Sequence, residues 1–128
     1  MSTFPCRVTV SSPDWHDQRD VRATVNIDLA FSMLPGNLLR GLGLAPDRQA
    51  HFPLPGGRRE LMDIGDVRLT VEGSSGVTPV VFGPDGAEPL LGRVALASLN
   101  LKADPTTQRL LPTHGWMPTR RPIPPRSG

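Results

Sequence analysis

Acidic residues and a histidine lie close together between residues 14 and 20, in a pattern that could bind a hard metal ion or transfer protons. The segment reads Asp14-Trp15-His16-Asp17, with Asp20 three residues further on. Imidazole and carboxylate groups are the side chains that such chemistry uses. Their spacing matches neither a calcium loop nor a zinc motif, and Arg19 and Arg22 balance the acids. We therefore interpret the segment as a solvated connection, and we expect no metal ion.

The other reactive side chains each stand alone in the sequence. His51 and His114 have no neighbouring partner, which is typical of surface histidines. Cys6 is the only cysteine, which excludes an internal disulfide and favours a small packed residue. The pair Gly56-Gly57 is too short to hold a phosphate group, so we interpret it as a turn. No group of residues predicts a cofactor.

The charge of the chain gives no reason to expect a nucleic-acid partner. Of its 14 basic residues, Arg120, Arg121 and Arg126 lie in the last nine residues, and the other 11 face 12 carboxylates. The body therefore lacks the positive surface that a phosphate backbone needs. No apolar run reaches the ~20 residues of a membrane span, and the N-terminus has no signal-like segment. These observations predict a cytoplasmic protein with no membrane or nucleic-acid partner.

The elements that must position any site are mostly short β-strands. Runs favourable to strands lie at 7–10, 22–27 and 77–82, and a last strand is expected at 109–111. Apolar and polar residues alternate from Val67 to Glu72, which is typical of a half-buried strand.

A hairpin and two short helices complete the predicted elements. Strands at 52–54 and from Arg58 to about Asp63 flank Pro55-Gly56-Gly57, which predicts a hairpin with a glycine tip. Leu38, Leu39 and Leu42 share one face of a short helix that ends at Gly43, and a second helix is expected over 94–99. These elements form one domain over 1–112. Residues 113–128, rich in proline and arginine, are expected to form a flexible tail.

Four segments between residues 7 and 112 occur in the order typical of one protein family. The most specific is Thr78-Pro79-Val80-Val81-Phe82-Gly83-Pro84 followed by Pro89-Leu90-Leu91-Gly92-Arg93. The others are Ser32–Leu44, Phe52–Val67 and Asp104–Leu110. Together they resemble the retropepsin-like aspartic proteases, and in particular the small bacterial members. The resemblance implies an all-β, mostly antiparallel, closed barrel-like fold with one or two short helices. It also implies a homodimer with a flap-covered cleft at the two-fold axis.

The chain departs from the family at the site itself. The resemblance implies an Asp-Thr-Gly motif that begins six residues before Ser32, where this chain has Asn26-Ile27-Asp28. In the family, one Asp from each subunit shares a proton with its mate and activates a water. The amide of Asn26 can neither take nor return that proton. Ile27 lacks the hydroxyl and Asp28 replaces the glycine, so we expect the dyad to be lost.

Three functions follow from a cleft without its dyad. The first is non-proteolytic acid/base chemistry on, or orientation of, a small or peptide-like molecule, with Asp28 and its mate sharing a proton in apolar surroundings. The second is a pseudo-protease that binds a peptide without cutting it. The third is a divergent aspartic peptidase that uses Asp28-Leu29-Ala30. The residues expected to line the cleft are Leu29, Phe31, Leu90 and Leu91 in its floor and Pro55, Gly56, Gly57 and Arg58 in the flap.

Overall fold

The elements seen in the computed structural model, which describes residues 3–14, 17–53 and 55–113, are mostly β-strands. In chain order they are β1 (Thr3–Ser11), β2 (Gln18–Asn26), β3 (Ser32–Pro35), α1 (Gly36–Gly41), β4 (Arg48–Pro53), β5 (Arg59–Val71), β6 (Ser74–Gly83), β7 (Leu90–Leu91), α2 (Arg93–Ser98), β8 (Leu101–Asp104) and β9 (Arg109–Pro112). A short turn, Pro55–Gly57, lies between β4 and β5. In the part of the chain that the structure describes, no helix is long and apolar enough to cross a membrane.

The strand pairings run in a closed circuit. Seven strands are ordered β1-β2-β7-β3-β6-β5-β4, and a further pairing joins β1 to β5. Six strands are thus linked end to end, and β4 extends outward from β5. Most pairs are antiparallel, whereas β2 with β7 and β3 with β6 are parallel. The predicted fold class, mostly antiparallel β with one or two short helices, is confirmed.

The core lies inside this circuit because apolar residues alternate along its strands. On β5, Val67, Leu69 and Val71 are buried, and Val8 and Val10 of β1 face them. The short helices add to the same core through a second set of buried side chains: Leu39 of α1, and Ala95 and Leu96 of α2. The helix after β3 was predicted from its leucines, and Leu39 is fully buried as that pattern requires.

Several elements differ from the sequence-based expectation. Residues 59–71 form one strand, not two, because Ile64 pairs with Arg48 of β4 and also with Val81 of β6. Strand β5 therefore continues without a break where its hydrogen-bonded partner changes from β4 to β6. Strands β3, β7 and β8 were not predicted, and β8 pairs with β9 in a separate two-stranded sheet. The predicted tail lies outside the described residues from residue 114 onward.

Candidate functional site

The loop between β2 and β3, residues 27–31, is named the site loop, and Asn26 shapes its beginning. The side-chain Oδ1 of Asn26 accepts a hydrogen bond from the backbone N–H of Asp28 at 3.0 Å. The carbonyl of Asn26 accepts another from the N–H of Leu29 at 3.2 Å. Asparagine favours such turns because its short side chain reaches the backbone two residues on. Asn26 therefore acts here as a turn residue.

The start of α2 holds the far side of the site loop. The backbone N–H groups of Arg93 and Val94 donate to the carbonyls of Leu29 and Ala30, each at 2.9 Å. The N–H of Gly92 donates to the hydroxyl Oγ of the buried Ser32 at 2.9 Å. These three bonds pair groups that would otherwise be left unsatisfied at the end of a helix. The Leu-Gly-Arg segment thus has a direct physical role in positioning the loop.

Arg93 adds a side-chain contact to the same loop. Its guanidinium donates to the carbonyl of Ile27 at 2.7 Å. The side chain of Ile27 remains 37% exposed, although it is large and apolar, and Asp28 beside it is exposed as well. The surface of the loop therefore presents one apolar and one acidic side chain next to each other.

The segment predicted to form the flap is the hairpin of β4 and β5, and the name flap is kept for it below. Pro53 pairs with Arg59, and Pro55–Gly57 lie in the turn between them. Gly56 and Gly57 have φ angles of 85° and 81°, which L side chains rarely adopt, so glycine is required to turn the chain here. Arg58 follows the turn and is exposed.

The base of the hairpin is held by charged side chains. Arg48 donates to Asp47 at 2.7 Å and to Asp66 at 2.9 Å. The hydrogen bond to Asp66 is the main cause that raises the pKa of Arg48 above its ordinary value. Gln49 donates to Asp63 at 2.8 Å across the same pair of strands. The two strands of the hairpin are therefore linked by side chains as well as by the backbone ladder.

An aromatic contact brings the site loop against the flap. The rings of Phe31 and Phe52 lie with centroids 5.7 Å apart and planes at 82°, an edge-to-face arrangement. Phe31 belongs to the site loop, and Phe52 lies on β4 just before the flap tip. The contact joins the site loop to the β4–β5 hairpin within one chain.

The predicted site residues lie in three places: the site loop, the strand β7 beside β3, and the turn of the β4–β5 hairpin. Asn26, Asp28, Leu29 and Phe31 lie together at and beside the loop, and Leu90 is half-buried beside β3, where it pairs with Met33. Leu91 is different, since its side chain is only 2% exposed and packs in the core. Pro55, Gly56, Gly57 and Arg58 form the flap tip. Phe52 was not among the predicted site residues, because only its contact with Phe31 in the folded chain associates it with the site loop.

The acidic segment before β2 is held by local hydrogen bonds. Ser12 donates to Asp14 through its hydroxyl at 2.7 Å, and the backbone N–H of Gln18 donates to Asp17 at 2.8 Å. Trp15 and His16 lie outside the described residues, as does His114. Across residues 3–14, 17–53 and 55–113, no group of three or more His, Cys, Asp or Glu side chains is arranged to hold a metal ion.

Comparison with known proteins adds one result on the fold. No protein-family model matches the chain, and no curated protein matches it. Among solved structures, it is similar to the solution structure of the simian foamy virus (mac) protease, with a TM-score of 0.54 and 14% sequence identity. The match covers 73% of this chain and 92% of the viral chain. The chain has a retropepsin-like fold.

Proposed function

We propose that this protein is a homodimer whose cleft, at the two-fold axis, binds a small or peptide-like molecule between the site loop and the flap. In this proposal Asp28 and its mate carry out acid/base chemistry that does not cut peptides. The observation that carries the proposal is the Phe31–Phe52 contact, with ring centroids at 5.7 Å, which sets the loop beside Asn26 against the flap. A retropepsin-like fold is consistent with a cleft at this position.

Ile27 supports the dimer. It is one of three large apolar side chains that are exposed among the described residues, the others being Leu61 and Val77. Ile27 lies in the site loop, whereas Leu61 and Val77 lie on the strands β5 and β6. Covering an exposed apolar side chain is favourable because it removes apolar surface from water. A second copy of the chain placed on the loop would cover Ile27.

Asn26 supports a cleft without an aspartic dyad. Its Oδ1 is engaged by the N–H of Asp28, and an amide cannot act as a general base at any pH that the fold tolerates. Asp28 lies two residues further on, with its backbone fixed by that same hydrogen bond. Two such carboxyl groups beside each other at a two-fold axis would be the acid/base groups of the proposal.

Binding without chemistry is the second candidate, and the same hydrogen bond favours it. Asn26 accepts the bond from Asp28 as a carboxylate would, so the turn keeps its shape although the acid is absent. A protein that retains the loop and flap without the acid needs only to bind its ligand. In this candidate Asp28 contributes charge to the cleft and transfers no proton.

Two experiments test the proposal. Light scattering at micromolar concentration should give a mass of twice 13.8 kDa for the natural chain. Ile27→Asp should shift the protein to the monomer, because it places two like charges at the axis, whereas the matched control Val77→Asp should stay dimeric. A monomeric natural chain would contradict both candidates.

The second experiment incubates the natural protein with a library of unstructured peptides between acidic and neutral pH. Because residue 26 carries no carboxyl group, no cleavage is expected above that of a blank. Cleavage that Asp28→Asn abolishes would overturn the proposal in favour of an aspartic peptidase that uses Asp28.

A further inference from the structure

Two arginines lie directly opposite each other on the hairpin of β1 and β2, away from the site loop. Arg7 pairs with Arg22 in the antiparallel register, so both side chains project from the same face. Both are exposed, and both line one surface depression together with Pro5 and Asp20. Like charges at directly opposed positions destabilise a strand pair. The arrangement therefore needs an explanation.

The neighbouring acids Asp20 and Glu88 are engaged by threonine hydroxyls. Asp20 accepts a hydrogen bond from the hydroxyl of Thr9 at 2.6 Å, on one side of the arginines. Glu88 accepts one from the hydroxyl of Thr24 at 2.7 Å, on the other side. Within the described ranges of the chain, no carboxylate lies within ion-pair distance of Arg7 or Arg22. Two guanidinium groups thus point outward without an anionic partner from those ranges.

We propose that Arg7 and Arg22 bind a phosphate group, either the free ion or a phosphate monoester. The planar guanidinium presents paired N–H donors that match the oxygens of phosphate, and such charge-assisted bonds are stronger than neutral ones. An anion between the two groups would also remove their mutual repulsion. The site lies four residues before Asn26 on β2, about 13 Å along the strand, so it is independent of the site loop.

Calorimetric titration of the full-length protein with inorganic phosphate and with O-phosphoserine, at constant ionic strength set with sodium chloride, tests this site. Arg7→Gln and Arg22→Gln should each weaken binding about tenfold or more, since each removes a charged pair of donors. Arg59→Gln is the matched control, because Arg59 is also exposed and lies on β5. It should bind as the natural protein does. Tighter binding of phosphoserine assigns the site to a monoester, and equal binding assigns it to the free ion.

Thermal unfolding in chloride and in phosphate gives an independent result. In chloride, Arg22→Gln should raise the melting temperature slightly, because it removes the like-charge pair, whereas phosphate should stabilise the natural protein more than this variant. No binding by the natural protein would overturn the proposal. Equal weakening by Arg22→Gln and Arg59→Gln would also overturn it, because phosphate would then respond only to the general surface charge.

Discussion

Gly92 is the position where one added methyl group should disturb the site most. It lies at the start of α2 with an extended backbone, φ −103° and ψ −175°, so its conformation is open to any residue. The space around Gly92, in contrast, leaves no room for a side chain. A Cβ at this position would lie 2.8 Å from the carbonyl oxygen of Phe31 and 2.9 Å from those of Leu29 and Ala30. All three contacts are to backbone atoms, which cannot move aside as a flexible side chain can.

The loss of stability expected for Gly92→Ala depends on whether the site loop stays in place or moves. If the site loop stays in place, the contacts below 3.0 Å are overpacking, which typically costs about 1–3 kcal/mol. If the loop moves, the bonds from Gly92, Arg93 and Val94 to the loop and Ser32 are lost or lengthened. Each contributes about 1 kcal/mol. By either route the free energy of unfolding should fall by about 1–3 kcal/mol.

Equilibrium unfolding in urea, followed by circular dichroism, measures this loss. The matched control is Gly41→Ala, since Gly41 lies in α1 and a Cβ there would meet only a side-chain atom of Arg19 at 3.9 Å. Alanine favours a helix over glycine, so this control should be unchanged or more stable by up to about 1 kcal/mol. A Gly92→Ala protein within about 0.5 kcal/mol of the natural one would refute the proposed packing of α2 on the site loop.

Two further predictions concern single side chains. Burial, and then the charge of Glu72, raise the pKa of Cys6 from 9.0 to about 11, so alkylation at pH 8 should be about a hundredfold slower than in urea. As the pH rises, the thiol of the unfolded chain ionises before that of the folded chain, so the free energy of unfolding should fall between about pH 9 and 11. Denaturation at several pH values measures this fall. Equal alkylation rates in the folded and unfolded protein would contradict the burial of the thiol. Arg93→Gln removes the 2.7 Å bond to Ile27 and should cost about 1 kcal/mol in urea unfolding; an unchanged midpoint would show that the bond does not hold the loop.

The sequence predicts those parts of the fold that local patterns control. The flap hairpin follows from the glycines at its tip, and α1 follows from the spacing of Leu39 and Leu42. Strand β8 has four residues with no clear alternation, and its pairing with β9 forms across a turn, so no local pattern marks it. Although this pairing is local, so short a strand carries too little alternation to be recognised from the sequence.

The positions of the site residues could also be predicted only in part from the sequence. Adjacent strand residues point to opposite faces, so Leu90 and Leu91 cannot both line one surface, and the sequence does not say which of them faces the core. The structure places Leu91 there. Phe31 and Phe52 are far apart in the sequence, and only the folded chain brings their rings together. The strand predicted over 22–27 ends at Asn26 in the structure, where the Asn26 side chain accepts the hydrogen bond that starts the site loop.

The most direct test of the central proposal is whether the two copies of residue 28 meet at the two-fold axis. Asp28→Cys, made in a Cys6→Ser background, is exposed to mild oxidation, and the fraction of chains joined by a disulfide is measured on a non-reducing gel. If Asp28 and its mate lie together, a disulfide should join two chains, because the bond requires the two Cα atoms to lie within about 7 Å of each other. The matched control Asp85→Cys, whose side chain is also exposed, should stay unlinked. Absence of the disulfide in Asp28→Cys would contradict the shared acid/base pair.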